Sequence, residues 1–270
     1  MRLRLPFAVA AMVLAVIAAR VIEKRLSVRI ALGEGEEAFR RGDFMSAAER
    51  FRRALEIDPA STTVRLRLVA AYRMQYVPGG ESLANLDVAK QALEEIARVL
   101  DRDPSNRAAI MAAGEINDAR LDYEHARDWY GRLTAIDSSS AAAFAGMSAA
   151  LLTRASGAVL DAEAHAGLLP ADRGRRSAQR EGGPIANDDL RRSLADRWSA
   201  TIAEGIDAAS KAVTIDREHE AAMLTLDGWH QLAADLAASP QEYRRHMISA
   251  AEWRQKALAV RRLKAERRSQ

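Results

Sequence analysis

Histidines, paired carboxylates and closely spaced glycines are the residues of this chain that could do chemistry. The five histidines are His125, His165, His219, His230 and His246. Two imidazoles on one helix hold a zinc ion only when they stand about four residues apart on one face. No two of these do, and His219-Glu220 lacks the second histidine of a zinc motif. Gly33-Glu34-Gly35 has the outline of a phosphate loop, but it follows no strand and lies inside a helical pattern. Asp101-x-Asp103 and Asp188-Asp189 lack the oxygen-rich spacing of a calcium loop. There is no cysteine, so disulfides, thiolate metal sites, a cysteine nucleophile and an acylated lipoprotein cysteine are all excluded. No nucleophile elbow or phosphate-binding lysine motif occurs. The sequence therefore predicts no catalytic residue, no cofactor or metal and no small-molecule substrate: a protein that binds rather than an enzyme.

The elements that carry these residues are helical. In 270 residues, 49% are apolar, 29% charged and only 5% aromatic, with alanine, the best helix former, abundant. The net charge is +3, from 40 basic and 37 acidic residues that are mostly interspersed, so no nucleic acid is expected as a partner.

The helical pattern repeats. Residues 31–59 read as two amphipathic helices. The first ends at Gly42, whose missing Cβ suits the turn after a helix. The second carries Ala47, Phe51 and Ala54 on one face and is stopped by Ile57-Asp58-Pro59. This unit resembles a tetratricopeptide repeat. Gly35 and Ala38 match the small residues of that family's first helix, and Gly42-Asp43-Phe44 matches its turn. Ala47, Phe51 and Ala54 match its second helix, and Pro59 its closing proline. Glu34 departs from it, standing where the family usually has leucine. The register returns at Asp-Pro104 and at Ile-Asp-Ser138, with Gly114, Ala126 and Tyr130 in place, and more loosely at Gly205, Ala209 and Ala212. The resemblance implies an all-α, right-handed helical solenoid of about five helix pairs, expected at 28–59, 62–103, 107–137, 141–217 and 220–265, preceded by one N-terminal transmembrane helix.

That transmembrane helix is read from the N-terminus, which is apolar from Leu5 to Ala19 between flanking arginines. Leu3 to Ile22 would span roughly 30 Å as a helix, the thickness of a hydrocarbon core. Residues 1–22 are therefore expected to be an uncleaved membrane anchor. A cleaved signal peptide, cut after Ala18 or Ala19, is the alternative. The expected organisation continues with repeats one to three and the first helix of repeat four over 23–154. A flexible insertion rich in glycine and proline follows over 155–190, then helices with a basic C-terminal end over 191–270.

In the related family the first helix of each pair lines a groove. Here that face would carry Arg29, Glu36, Arg40, Leu66, Arg67, Arg73, Met111, Glu115 and Asp118, with Leu224 and Gln231 further on. The lysines and asparagines with which some relatives clamp a partner's terminal carboxylate are missing from it. The expected function is a scaffold for protein–protein interaction, anchored in the inner membrane of a bacterium by its N-terminal helix. Its body would lie outside the cytoplasm and its partners would be subunits of a membrane or envelope complex. A soluble exported binding module is the alternative.

Overall fold

Two adjacent residues set the first helix pair. Gly42 takes φ +79°, a left-handed conformation that closes a helix without strain where no Cβ is present. Asp43 then accepts a hydrogen bond from the Ser46 N–H at 3.1 Å and starts the next helix. The same device recurs along the chain. Ser61, Ser82, Asn106, Asp122, Ser140 and Asn187 each cap the backbone N–H three residues on, and His219 does so through its ring.

The computed structural model describes residues 4–168 and 183–269, and among them the chain forms ten helices and no strand. They are α1 (Arg4–Arg40), α2 (Phe44–Ile57), α3 (Thr62–Gln75), α4 (Leu83–Leu100), α5 (Arg107–Ala119), α6 (Tyr123–Ile136), α7 (Ala141–His165), α8 (Asp188–Ile215), α9 (Glu220–Asp235) and α10 (Pro240–Ser269). α1–α2, α3–α4, α7–α8 and α9–α10 pack as four of the expected pairs, whereas α5 and α6, expected as the pair at 107–137, fall in different compact units. Longer connections, at 76–82, after His165 and at 236–239, separate α3 from α4, α7 from α8 and α9 from α10.

The chain divides into two compact units, one to Arg120 and one from Leu121. In the first, Ala47, Phe51 and Ala54 of α2 are fully buried, as their spacing required. Phe51 lies on Gly35 of α1, where a Cβ would come within 2.5 Å of the ring. The departure at Glu34 has a local cause, since its carboxylate pairs with Arg50 of α2 at 2.6 Å. Between α3 and α4, the buried Arg65 pairs with the buried Glu95 and also donates to the Pro59 carbonyl at 2.7 Å. Removing one partner of such a pair costs about 3–5 kcal/mol, because the other charge is left buried.

In the second unit, α7 is the helix, among the described residues, long and apolar enough to cross a membrane by length and composition. It packs against α6, α8 and α9 and buries eight side chains, the pattern of a core helix. Its Leu151 and Val159 form a core cluster with Trp198 of α8 and Trp229 and Leu232 of α9.

Two boundaries differ from expectation, and the basic C-terminal end carries pairings that the sequence did not show. Residues 1–22 and the first helix of repeat one are not separate elements: from Arg4, where the described residues begin, both belong to the single helix α1. Residues 1–3 lie outside the described residues. Next, α7 runs on to His165, eleven residues into the expected insertion, because Ala155, Val159 and Glu163 continue its buried face at a spacing of four. Gly157 stays in the helix with open space where a Cβ would be. Residues 169–182 of the expected insertion lie outside the described residues, and α8 begins at Asp188. Much of that basic end is paired. Arg254 binds Asp227, Arg261 binds Glu220 and Arg267 binds Glu218, all across the antiparallel α9–α10 hairpin.

Candidate protein-binding face

Helices α1, α3 and α5 are the expected first members of their pairs and all lie in the first unit. Each buries one stripe and leaves the other open. On α3 the buried stripe is Val64, Arg65, Leu68, Val69, Ala71 and Tyr72. The open stripe is Leu66, Arg67, Ala70, Arg73 and Met74, at helical spacing. On α5, Met111, Glu115 and Asp118 are open or half-buried at spacings of four and three, and on α1 so are Arg29, Glu36 and Arg40.

The structure joins four of these residues in two bridges. Arg67 pairs with Glu36 at 3.3 Å and so links α3 to α1. Arg73 pairs with Glu115 at 2.5 Å and links α3 to α5. Both pairs are partly exposed, at 57% and 45% for Arg67 and Glu36. Exposed pairs of this kind are worth roughly 0.2–1 kcal/mol each, so they order the face more than they stabilise the fold. Arg40 pairs within its own helix with Glu37. Met111 and Asp118 flank Glu115, and burial pushes the Asp118 carboxyl above the usual carboxylate range. Arg29 takes no part in the bridges. It lines an open cavity of about 470 Å³ with Lys24, Arg25 and Val28 of α1 and Asp58 beyond the end of α2.

In the second unit, Leu224 is partly exposed on α9, and Gln231 donates to Asp227 at 2.7 Å. Asp227 also accepts from Arg254 Nε and Nη2, each at 2.9 Å.

Two groupings were missed in the sequence. One is the cavity at Lys24, Arg25 and Arg29. The other is His230 with His246, whose Nδ1 atoms lie 3.2 Å apart between α9 and α10. A signal for the pair existed, since both stand eight residues from Ala238 in the turn, and an antiparallel hairpin brings such positions together. Burial holds both imidazoles below their usual pKa, helped by His246 for His230 and by Arg245 for His246. Among the described residues no three histidine or carboxylate side chains gather as a metal site would require.

No protein-family model matches the sequence, and no curated protein matches it. Solved structures do match its fold. A crystal structure of MamA is 16% identical, with a TM-score of 0.50 over 86% of this chain and 96% of that one. MamA from Desulfovibrio magneticus RS-1, residues 41 to the end, is also 16% identical, with a TM-score of 0.50 over 87% and 96%. TTC0263, a TPR protein of Thermus thermophilus, matches at 16% identity and a TM-score of 0.39 over 77% and 98%. At these identities the likeness to the two MamA structures is one of fold alone.

Proposed function

We propose that the protein is a membrane-anchored TPR-like scaffold that binds another protein along the open face of α1, α3 and α5. On this reading it is an accessory subunit or assembly factor of a membrane or envelope complex. The carrying observation is the pair of bridges, Glu36–Arg67 and Arg73–Glu115. They hold alternating charges from three helices in fixed positions while leaving them partly exposed, as a surface made to meet a complementary one requires. Leu66, Ala70, Met74 and Met111 supply apolar area between them.

Anchoring is supported by the apolar run from Leu5 to Ala19 and by the exposure of Met12 and Val16 on the same helix. Because α1 is one helix of 37 residues, the anchor would pass directly into the first repeat and hold the binding face at a fixed height above the bilayer. The anchor is assigned to a single pass of the inner membrane, with the body outside the cytoplasm.

Fractionation tests the anchor: the protein should stay with membranes through a high-salt wash and come off in detergent, whereas release without detergent favours the soluble exported module. A charge exchange tests the face. Glu36→Arg with Arg67→Glu keeps the internal bridge but inverts the pattern shown to a partner. Partner recovery from solubilised membranes should fall in both single variants and stay low in the double. Full recovery in the double variant would reduce the bridge to an internal contact.

A further inference from the structure

The basic cavity on α1 is separate from the protein-binding bridges and has a chemistry of its own. Lys24, Arg25, Val28 and Arg29 stand at i, i+1, i+4 and i+5 and so share one broad helical face. Asp58 closes the cavity from the end of α2. Most other arginines nearby are neutralised: Arg20 pairs with Glu23, Arg40 with Glu37, Arg50 with Glu34 and Arg67 with Glu36. Among the described residues Lys24, Arg25 and Arg29 have no ion-pair partner. Three cations thus face one carboxylate around about 470 Å³ of open space. That is an anion site by charge.

The surroundings say which anion. On the flank of α1 that adjoins Arg25 and Arg29, Ile22 and Leu26 stand three residues before them, and Ile22, Leu26 and Ile30 are 65%, 57% and 53% exposed at spacings of four. They extend an apolar surface that begins at Met12 and Val16. If Leu3 to Ile22 lies in the hydrocarbon, Lys24 falls roughly 3 Å and Arg29 roughly 10 Å beyond it at the helical rise. A headgroup layer is roughly 5–8 Å deep, and long basic side chains bend back toward it. The three cations therefore stand at headgroup height with apolar side chains beside them.

We propose that Lys24, Arg25 and Arg29 form a binding site for the anionic headgroup of a phospholipid, where α1 leaves the bilayer. This rests on the anchored reading of α1 and adds a lipid preference to it. The occupant carries a phosphodiester that meets the cations and acyl chains that meet the apolar stripe.

The full-length protein, purified in detergent, is titrated with fluorescent phosphatidylglycerol and with phosphatidylcholine. Phosphatidylglycerol should bind more tightly. Lys24→Gln, Arg25→Gln and Arg29→Gln together should weaken it roughly a hundredfold, at about fivefold per cation, with phosphatidylcholine binding unchanged. Asp58→Asn should tighten it. Equal binding of the two lipids by the parent, or an undiminished preference in the triple variant, overturns the proposal. So does displacement of phosphatidylglycerol by equimolar inorganic phosphate, which would mark a site for a soluble anion. Flotation with vesicles separates the two readings. Parent and triple variant should both float with phosphatidylcholine vesicles. A parent that floats without preferring phosphatidylglycerol overturns this proposal alone. A parent that floats with neither vesicle overturns the anchored reading as well.

Discussion

Trp229 on α9 donates its indole N–H to Ser148 Oγ on α7 at 2.8 Å, and that hydroxyl donates to the Gly205 carbonyl of α8 at 2.7 Å. Three helices of the second unit are tied by one fully buried relay. Gly205 is also where the indole lies closest, since a Cβ there would stand 2.0 Å from Trp229 Cζ2.

Gly205→Ala should therefore force α8 away from α9 and cost at least the roughly 1–3 kcal/mol typical of overpacking. Ser148→Ala should cost about 1–3 kcal/mol by leaving the indole donor unpaired in the core. Thermal unfolding followed by tryptophan fluorescence reads both. A Gly205→Ala midpoint equal to the parent's would mean that the indole does not lie on that glycine.

Leu121 is a weak point that substitution can repair. It holds φ +63°, a left-handed conformation, at the place in its turn that Gly42 fills in the first repeat. In both turns the next residue is an aspartate that caps the following helix. A non-glycine residue there carries a penalty of roughly 1 kcal/mol, and Leu121 is exposed, so little packing is lost with its side chain. Leu121→Gly is expected to be neutral or to stabilise by up to about 1 kcal/mol in denaturant unfolding. Destabilisation by more than that would show that the side chain holds the turn.

The repeats were legible because small and aromatic residues recur at fixed spacings and each unit ends in a recognisable stop. Ala47, Phe51 and Ala54 went to the core as their spacing required. The open faces of α1, α3 and α5 were legible as faces, but the bridges were not, because pairing Glu36 with Arg67 depends on how helices of different pairs are offset. The extent of α7 was hidden by Gly157 and Gly167, which read as loop. Gly167 does close the helix at φ +69°, whereas Gly157 lies within it. The pairing of Arg254, Arg261 and Arg267 was hidden because a basic run looks the same in sequence whether it is solvated or matched across a hairpin.

The His230–His246 contact should make the α9–α10 hairpin sensitive to acid. Both groups titrate below the usual histidine value of 6.5 in the folded chain. The unfolded chain then binds more protons as pH falls, so folding stability is full above about pH 6.5 and is lost as pH drops through the folded values. Asp227 and Glu242 oppose this and Arg245 favours it, with Arg254 held on Asp227. The protection of α10 amides, measured as exchange relative to the intrinsic rate at each pH, should drop between about pH 7 and pH 5, and His246→Gln should flatten that dependence. Equal slopes in parent and variant would assign the acid sensitivity elsewhere.

The claim that the open face of α1, α3 and α5 is where a protein partner sits can be tested by position-specific photocrosslinking in intact membranes. A benzophenone side chain is placed at Ala70, between Arg67 and Arg73 on the open stripe of α3, and separately at the exposed Arg53 on α2. The expected result is one discrete crosslinked protein from Ala70, abolished by the Glu36→Arg/Arg67→Glu exchange, and none from Arg53. A crosslink from Arg53 with none from Ala70 would contradict it.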